Sequence, residues 1–347
     1  MSFKFGAASL AFALSTTTAL AGGLDRSGQS IGFIFETGNV VELSYGSVSP
    51  SVSGSFMTAP SGDIAPTYGI AALSMKSDLS DKLSLGLLLD QPYGAHVSYE
   101  TAGYPLNTAN AKVNSTSITL MGRYKLTDAI SAHAGLRSVS ADGVYDPSPV
   151  GQTDYASTYS KDSDMGYLVG VAYEKPEIAL RVALTYSSKT EFALDGTAGD
   201  LTARMPQSVN LDFQSGVAAN TLVFGSIRWA DWSSAHLTDS IPAVGTIVEY
   251  SNDVLTYSLG VGRKFSDSFS GALTLGYEKG TGELASNLSP TDGYLSVGLG
   301  GTYTKDNMKI TAGVRYVDLG DATTESIFSS FSGNSALALG LKVSFSF

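Results

Sequence analysis

The C-terminal stretch Ala336-Leu337-Ala338-Leu339-Gly340-Leu341-Lys342-Val343-Ser344-Phe345-Ser346-Phe347 alternates without a break. Leu337, Leu339, Leu341, Val343, Phe345 and Phe347 share one parity, and Ala, Gly, Lys and Ser hold the other. Successive side chains of a strand point to opposite faces, so this strand has one wholly apolar face and one small or polar face. The pattern recurs upstream. Ile178, Leu180, Val182, Leu184 and Tyr186 oppose Ala179, Arg181, Ala183, Thr185 and Ser187. Tyr167, Val169, Val171 and Tyr173 form another stripe, as do Leu255, Tyr257, Leu259 and Val261, and Leu295, Val297, Leu299 and Tyr303. A helical period of 3.6 fits none of these runs.

The connectors alternate between two kinds. Short polar turns fall at 78–81, 127–128, 175–177, 216–220, 266–267 and 306–307. Long stretches rich in Gly, Ser, Thr, Pro and Asp fall at roughly 49–64, 91–112, 142–162, 191–204, 234–250, 280–291 and 319–333. Together they join fourteen expected strands. Short turns on one side and long loops on the other are the mark of a transmembrane β-barrel. A soluble β-sandwich also alternates, but its outer face carries many Lys and Glu, whereas here the second face is Gly, Ala, Ser and Thr. Phe265, Phe269, Tyr277, Tyr303, Phe345 and Phe347 sit near strand ends, where an interfacial aromatic girdle places them.

Composition agrees. The 347 residues include 38 Gly, 18 Tyr, 15 Phe, no Cys and only 3 His, and 15% are charged, against about 25% on average. The absence of Cys excludes a disulfide scaffold and any thiolate ligand or nucleophile. A net charge of -11 speaks against nucleic acid, whose phosphates need a basic face. The mean hydropathy of +0.08 is too low for a helical membrane protein, yet a barrel averages over two opposite faces. Residues 1–21 carry Lys4, an uncharged Ala/Leu/Phe/Thr stretch and a terminal Ala19-Leu20-Ala21, the layout of a secretory signal peptide cleaved after Ala21. Residues 22–39 then form a short luminal plug, and 40–347 one all-β antiparallel barrel rather than two soluble domains.

From about residue 180 the order of motifs becomes specific. Ala183-Leu184-Thr185-Tyr186-Ser187-Ser188 leads to Phe192 and Gly196, then to Met205-Pro206-Gln207-Ser208-Val209, then to Arg228-Trp229-Ala230-Asp231-Trp232-Ser233. This resembles the FadL-type outer-membrane transporters of long-chain fatty acids and aromatic hydrocarbons, with motif-level likeness over roughly 180–235. The resemblance implies a monomeric 14-stranded barrel in the Gram-negative outer membrane. It also implies an internal hatch and sideways release of ligand through a kinked third strand. One feature departs from the family. Its hatch is some 40 residues long and ends in Asn-Pro-Ala, where this chain has a short segment ending Gly38-Asn39-Val40. Ile31, Phe33 and Phe35, with Ile34, are the candidate apolar plug, and Asn39 marks its end. A shortened hatch leaves two outcomes open, an occluded lumen or a leakier pore.

Candidate ligand residues follow from this frame. Phe56, Met57 and Ile64 in the first long connector, and Ile327, Phe328 and Phe331 in the last, suit a capture groove or equally the packing of loops over the barrel mouth. On the luminal parity, Arg181, Asp212 and Lys342, with His133, Arg137 and Arg315, form a structural network across the pore or a cation for a fatty-acid carboxylate. Arg181 and Arg315 are the first candidates for the second role. Gln91, Pro92 and Gly94 interrupt the third strand, since Pro cannot donate to a ladder; they read as a strand end or as a lateral gate. Phe347 presents the C-terminal aromatic that barrel assembly machinery takes, and the long acidic loops face lipopolysaccharide. No cofactor, metal spacing or nucleophile signature stands out, and His96, His133 and His236 are isolated, so an enzyme is not expected. The reading is passive uptake of hydrophobic compounds. A non-specific aqueous porin and a structural or adhesive barrel are the alternatives.

Overall fold

The computed structural model describes residues 23–147 and 155–347. The expected signal peptide therefore lies outside the described residues. Fourteen antiparallel strands close into a ring. They are β1 (Val40–Ser51), β2 (Tyr68–Asp78), β3 in two pieces (Leu83–Asp90 and Gly94–Ser98), β4 (Asn110–Lys125), β5 (Ile130–Asp146), β6 (Ser157–Lys175) and β7 (Leu180–Ser187). There follow β8 (Ser208–Ala218), β9 (Thr221–Ala230), β10 (Val254–Lys264), β11 (Phe269–Glu278), β12 (Tyr294–Lys305), β13 (Met308–Leu319) and β14 (Asn334–Ser346). Each strand pairs with its sequence neighbours, and β1 closes the ring on β14, Val40 opposite Ser346 and Ser51 opposite Ser335. Closure removes the free edges of the sheet except at the upper piece of β3, and so satisfies nearly all of its backbone in lipid.

The two faces of this ring are inverted relative to a soluble protein. Leu337, Leu339, Leu341 and Phe345 are exposed, Leu339 by 54%, while Ala336, Ala338, Lys342 and Ser344 between them are buried, Lys342 to 1% exposure. The apolar parity faces lipid and the polar parity fills the interior. Phe265, Phe269, Tyr277, Tyr303 and Phe347 are all exposed on the outer surface. Arg181, His133, Arg137 and Arg315 are buried on the inner parity.

The long connectors are more ordered than their composition suggests. Thr190–Leu194, Leu201–Met205, His236–Asp239 and Thr246–Glu249 form a four-stranded sheet above the barrel, so the long connectors 191–204 and 234–250 carry short strands of their own. Their reason is visible in burial: Phe192, Leu194, Leu201, Ala203, Met205, Leu237 and Val248 turn one apolar face onto a shared core. The carboxylates of Asp162 and Asp164 accept from the backbone N–H groups of Ala193 and Glu191, at 2.8 Å each, and so tie this sheet to β6. A second small sheet joins Ser53–Phe56, Ala59–Asp63, Ala322–Thr323 and Ser330–Phe331. The run from Ile178 also needs trimming. Pro176–Ile178 form a 3-10 turn, and Ala179 takes a left-handed conformation (φ 52°), so β7 begins only at Leu180.

The segment before β1 lies inside the ring. Gly32–Phe35 make one 3-10 turn with Phe33, Ile34 and Phe35 buried, and Leu24, Arg26, Gln29 and Ile31 are buried with them. Asn39 sits at the ring's rim instead. Its side-chain oxygen accepts from the N–H of Asp78 at 2.8 Å, and its carbonyl accepts from the N–H of Phe347 at 3.0 Å, where the first and last strands meet.

Candidate functional site

The third strand is broken where Gln91-Pro92-Tyr93 intervene between Asp90 and Gly94. The lower piece pairs with β2 up to Leu73 opposite Leu89. The upper piece, Gly94–Ser98, pairs only with β4, Gly94 opposite Asn114 and Ser98 opposite Asn110. Among the described residues no ladder joins Tyr68–Ala72 to Gly94–Val97. The gap is closed again above, where Ser98 N–H donates to the carbonyl of Ile64 at 2.9 Å. It is thus a window in the wall, not a frayed end.

Side chains satisfy the backbone that the break exposes. Ala71 N–H donates to Gln91 Oε1 at 3.0 Å. Ser115 Oγ accepts from Tyr93 N–H at 2.8 Å and donates to its carbonyl at 2.7 Å. The N-terminal segment does the rest: Arg26 N–H donates to the Pro92 carbonyl and Gly94 N–H to the Leu24 carbonyl, each at 2.8 Å. Asp25 and Tyr93 thereby form an antiparallel bridge. Pro92, which has no N–H to offer, stands where only an acceptor is used.

The same segment is tied across the lumen. Arg228 Nε donates to Asp25 at 2.7 Å and its NH1 to Asn210 at 2.8 Å, while Asn210 donates to the Gly28 carbonyl at 3.0 Å. Gln29 donates to the Tyr93 hydroxyl at 2.9 Å and accepts from Arg137. Ser27 donates to Asp90 at 2.8 Å. Below, the Phe35 ring lies between the guanidinium groups of Arg123 (4.7 Å) and Arg181 (4.9 Å), a double cation–π contact. Charged pairs fill the periplasmic half: Arg123 with Glu174, Lys342 with Glu42 at 3.1 Å, and Lys309 with Glu36 at 3.7 Å.

Above the segment the interior turns apolar. A cavity of about 430 Å³ lies among Val97, Tyr99, Leu106, Tyr145, Leu288 and Ile327. It shares Ala111, Tyr145 and Leu288 with a smaller chamber of about 30 Å³, lined by Val113, Tyr159, Leu194, Met205, Leu237 and Ile247. Leu24, Tyr93, Ala95 and Trp232 belong to the same apolar cluster as that lining. A packed cluster of apolar side chains therefore links the lining of the smaller chamber to the inner side of the window.

The candidate residues divide accordingly. Ile31, Phe33 and Phe35 pack together in the lumen with Ile34, whereas Asn39 belongs to the strand seam. Gln91, Pro92 and Gly94 meet at the window. Phe331 and Ile64 are buried and Phe56 is half-buried against one loop core. Ile327 lines the large cavity, and Met57 and Phe328 face outward. Arg181 lies beneath Phe35, on the far side of the segment from the cavities, and neither Arg181 nor Arg315 lines them. Arg26, Asp25, Tyr68 and Ser115 were not expected. Arg26 and Asp25 stand in a segment without periodicity, which carries no signal of where its side chains go.

A closed ring with an apolar exterior, a cavity at its outer end and a segment lodged in its lumen is the architecture of an outer-membrane channel for hydrophobic compounds. Residues 19–347 match the sequence model of the outer membrane protein transport protein family (OMPP1/FadL/TodX), and the chain belongs to that family. It is a multi-pass β-barrel of the Gram-negative outer membrane, and its family is one of transporters rather than enzymes. Solved structures agree in fold. A FadL homologue of Pseudomonas aeruginosa superposes with a TM-score of 0.73 at 13% identity, over 96% of this chain and 98% of that one. The Pseudomonas putida toluene transporter TodX gives 0.71 at 15% identity over 97% of both chains. The Ralstonia pickettii toluene transporter TbuX gives 0.64 at 13% identity, also over 97% of both. Comparison with curated protein sequences gives no match.

Proposed function

We propose that this barrel takes up hydrophobic compounds passively and releases them sideways into the bilayer through the window between β2 and the upper half of β3. The observation that carries the reading is the missing ladder between Tyr68–Ala72 and Gly94–Val97. A hydrophobic solute descends from the outer cavity past the apolar chamber and leaves where no backbone ladder joins β2 to the upper half of β3. Residues 23–39 act as the plug, since they and the charged pairs below them stand in the axial route. The force is the ligand's own partition into lipid. Long-chain fatty acids and aromatic hydrocarbons are both candidate cargoes.

Uptake of labelled oleate and of toluene by cells with and without the protein tests the reading. A gain with either compound supports it, and no gain with both removes it. Planar bilayers address the porin alternative: a large steady ion current favours an aqueous pore, and a silent barrel favours lateral release. We further propose that the chain works as a monomer, is recognised by the assembly machinery through Phe347, and presents its acidic loops to lipopolysaccharide.

A further inference from the structure

We propose that Arg26 and Tyr68 form an anion-reading pair at the window, which makes the preferred cargo an amphipathic carboxylate rather than a neutral hydrocarbon. The inference rests on the lateral-release reading and names the substrate class that it serves.

The guanidinium of Arg26 occupies the window itself. A Cβ placed on Gly94 would stand 2.6 Å from its Cζ and Nε, so Gly94 is the position that leaves room for it. The same group lies over the Tyr68 ring, 4.2 Å from the centroid. Arg26 thus comes from the N-terminal segment, Tyr68 from the top of β2 and Gly94 from the upper half of β3, the three elements that meet at the break.

The polar atoms here are unmatched. Arg228 has Asp25, Arg123 has Glu174 and Arg137 has Gln29 and Thr119. Arg26 has no carboxylate partner among the described residues, and its buried Nε has no acceptor. The buried hydroxyl of Tyr68 also lacks a partner. Leaving a buried donor unpaired is costly, more so when it is charged. Two unpaired donors side by side call for a ligand that brings acceptors, and a carboxylate brings two oxygens with a negative charge. A toluene-like solute brings none.

His96 lies two residues beyond Gly94 on the same strand and faces Lys112 across β4. The apolar chamber lies directly behind, where Ala95 pairs with Val113. A fatty-acid-like ligand can therefore lay its tail along the apolar side chains that lead toward the larger cavity of about 430 Å³ while its head reaches Arg26. Pairing with the ligand would draw the guanidinium away from Tyr68 and clear the window.

The experiment compares dodecanoate with dodecanol, two ligands of one chain length, in proteoliposome uptake by wild type, Arg26→Gln, Arg26→Lys and Tyr68→Phe. Dodecanoate uptake is expected to fall at least about tenfold in Arg26→Gln, the factor that a charge-assisted hydrogen bond is worth. It should recover in part in Arg26→Lys and fall less in Tyr68→Phe, with dodecanol uptake unchanged throughout. Binding followed through the fluorescence of Trp229 and Trp232 gives an independent readout, and heat-modifiable migration on gels confirms that each barrel is folded. Equal loss of both ligands in Arg26→Gln would make Arg26 a positioning residue only and overturn the proposal, as would unchanged dodecanoate uptake. Should Arg26→Gln fail to fold, Arg26→Lys and Tyr68→Phe decide: no change in the dodecanoate-to-dodecanol ratio in either overturns it. Wild type that carries dodecanol but not dodecanoate refutes the pair while leaving lateral release standing. Wild type that carries neither removes both.

Discussion

Arg228 Nε donates to the Asp25 carboxylate at 2.7 Å, across 203 positions of sequence, with both side chains about nine-tenths buried. This pair fastens the N-terminal segment to β9 on the wall opposite the break. Removing one member of a buried pair strands the other, at about 3–5 kcal/mol. Asp25→Ala is therefore expected to loosen the segment and leave the barrel intact. Single-channel recording should show current bursts absent from wild type, and a silent Asp25→Ala channel would mean that the remaining contacts suffice. Adding Phe35→Ala, which removes the ring between Arg123 and Arg181, should turn bursts into sustained current.

Gly94 governs the window by having no side chain. In Gly94→Leu the new side chain meets the movable end of Arg26 rather than backbone, so the barrel should fold and carry its aperture filled. Uptake of every cargo is expected to drop to the level of cells lacking the protein. Wild-type uptake by a folded Gly94→Leu would place the exit elsewhere.

Lys342 and Glu42 join the last strand to the first inside the lumen, with Ser344 donating to the same carboxylate at 2.7 Å. Lys342→Met leaves Glu42 buried without its cation and should destabilise the barrel by about 3–5 kcal/mol. The double variant Lys342→Met with Glu42→Gln is expected to regain most of that loss. Urea unfolding in detergent or lipid measures both, and additive losses would show that the two residues do not act as a pair.

The lipid-facing parity has its own test. Leu339→Arg puts a charge on the apolar band and should cost about 2–4 kcal/mol near the bilayer midplane. Folding into bilayers of known thickness reads this cost, and an unperturbed Leu339→Arg would contradict the assigned orientation of β14.

The ring was readable because its signal is local. Leu337, Leu339 and Leu341 are exposed and Ala336, Ala338 and Lys342 buried for the reason that period two dictates, and the short turns and long connectors follow the barrel's two sides. The loop sheets were less readable. Phe192, Leu201 and Leu237 belong to short strands separated by Gly and Asp, and the pairing of Leu201 with Asp239 and of Ala203 with Leu237 joins two separate connectors, which composition alone does not show. Arg181 and Arg315 were singled out because parity turns them inward. Parity does not say how far along the axis a side chain sits or what it meets, and neither of them lines the apolar cavities.

The sequence by itself determined that this is a transmembrane-type β-barrel with an apolar exterior, because alternation, turn spacing and aromatic placement are properties of consecutive residues. It also marked Gln91, Pro92 and Gly94 as a strand end or a break, since proline is a local restriction on pairing. Only the tertiary structure decided what fills that break. Arg26, Tyr68 and Gly94 come from an aperiodic segment, a strand end and the far side of a gap. Their meeting depends on how the N-terminal segment threads the closed ring, which no local pattern in the chain encodes.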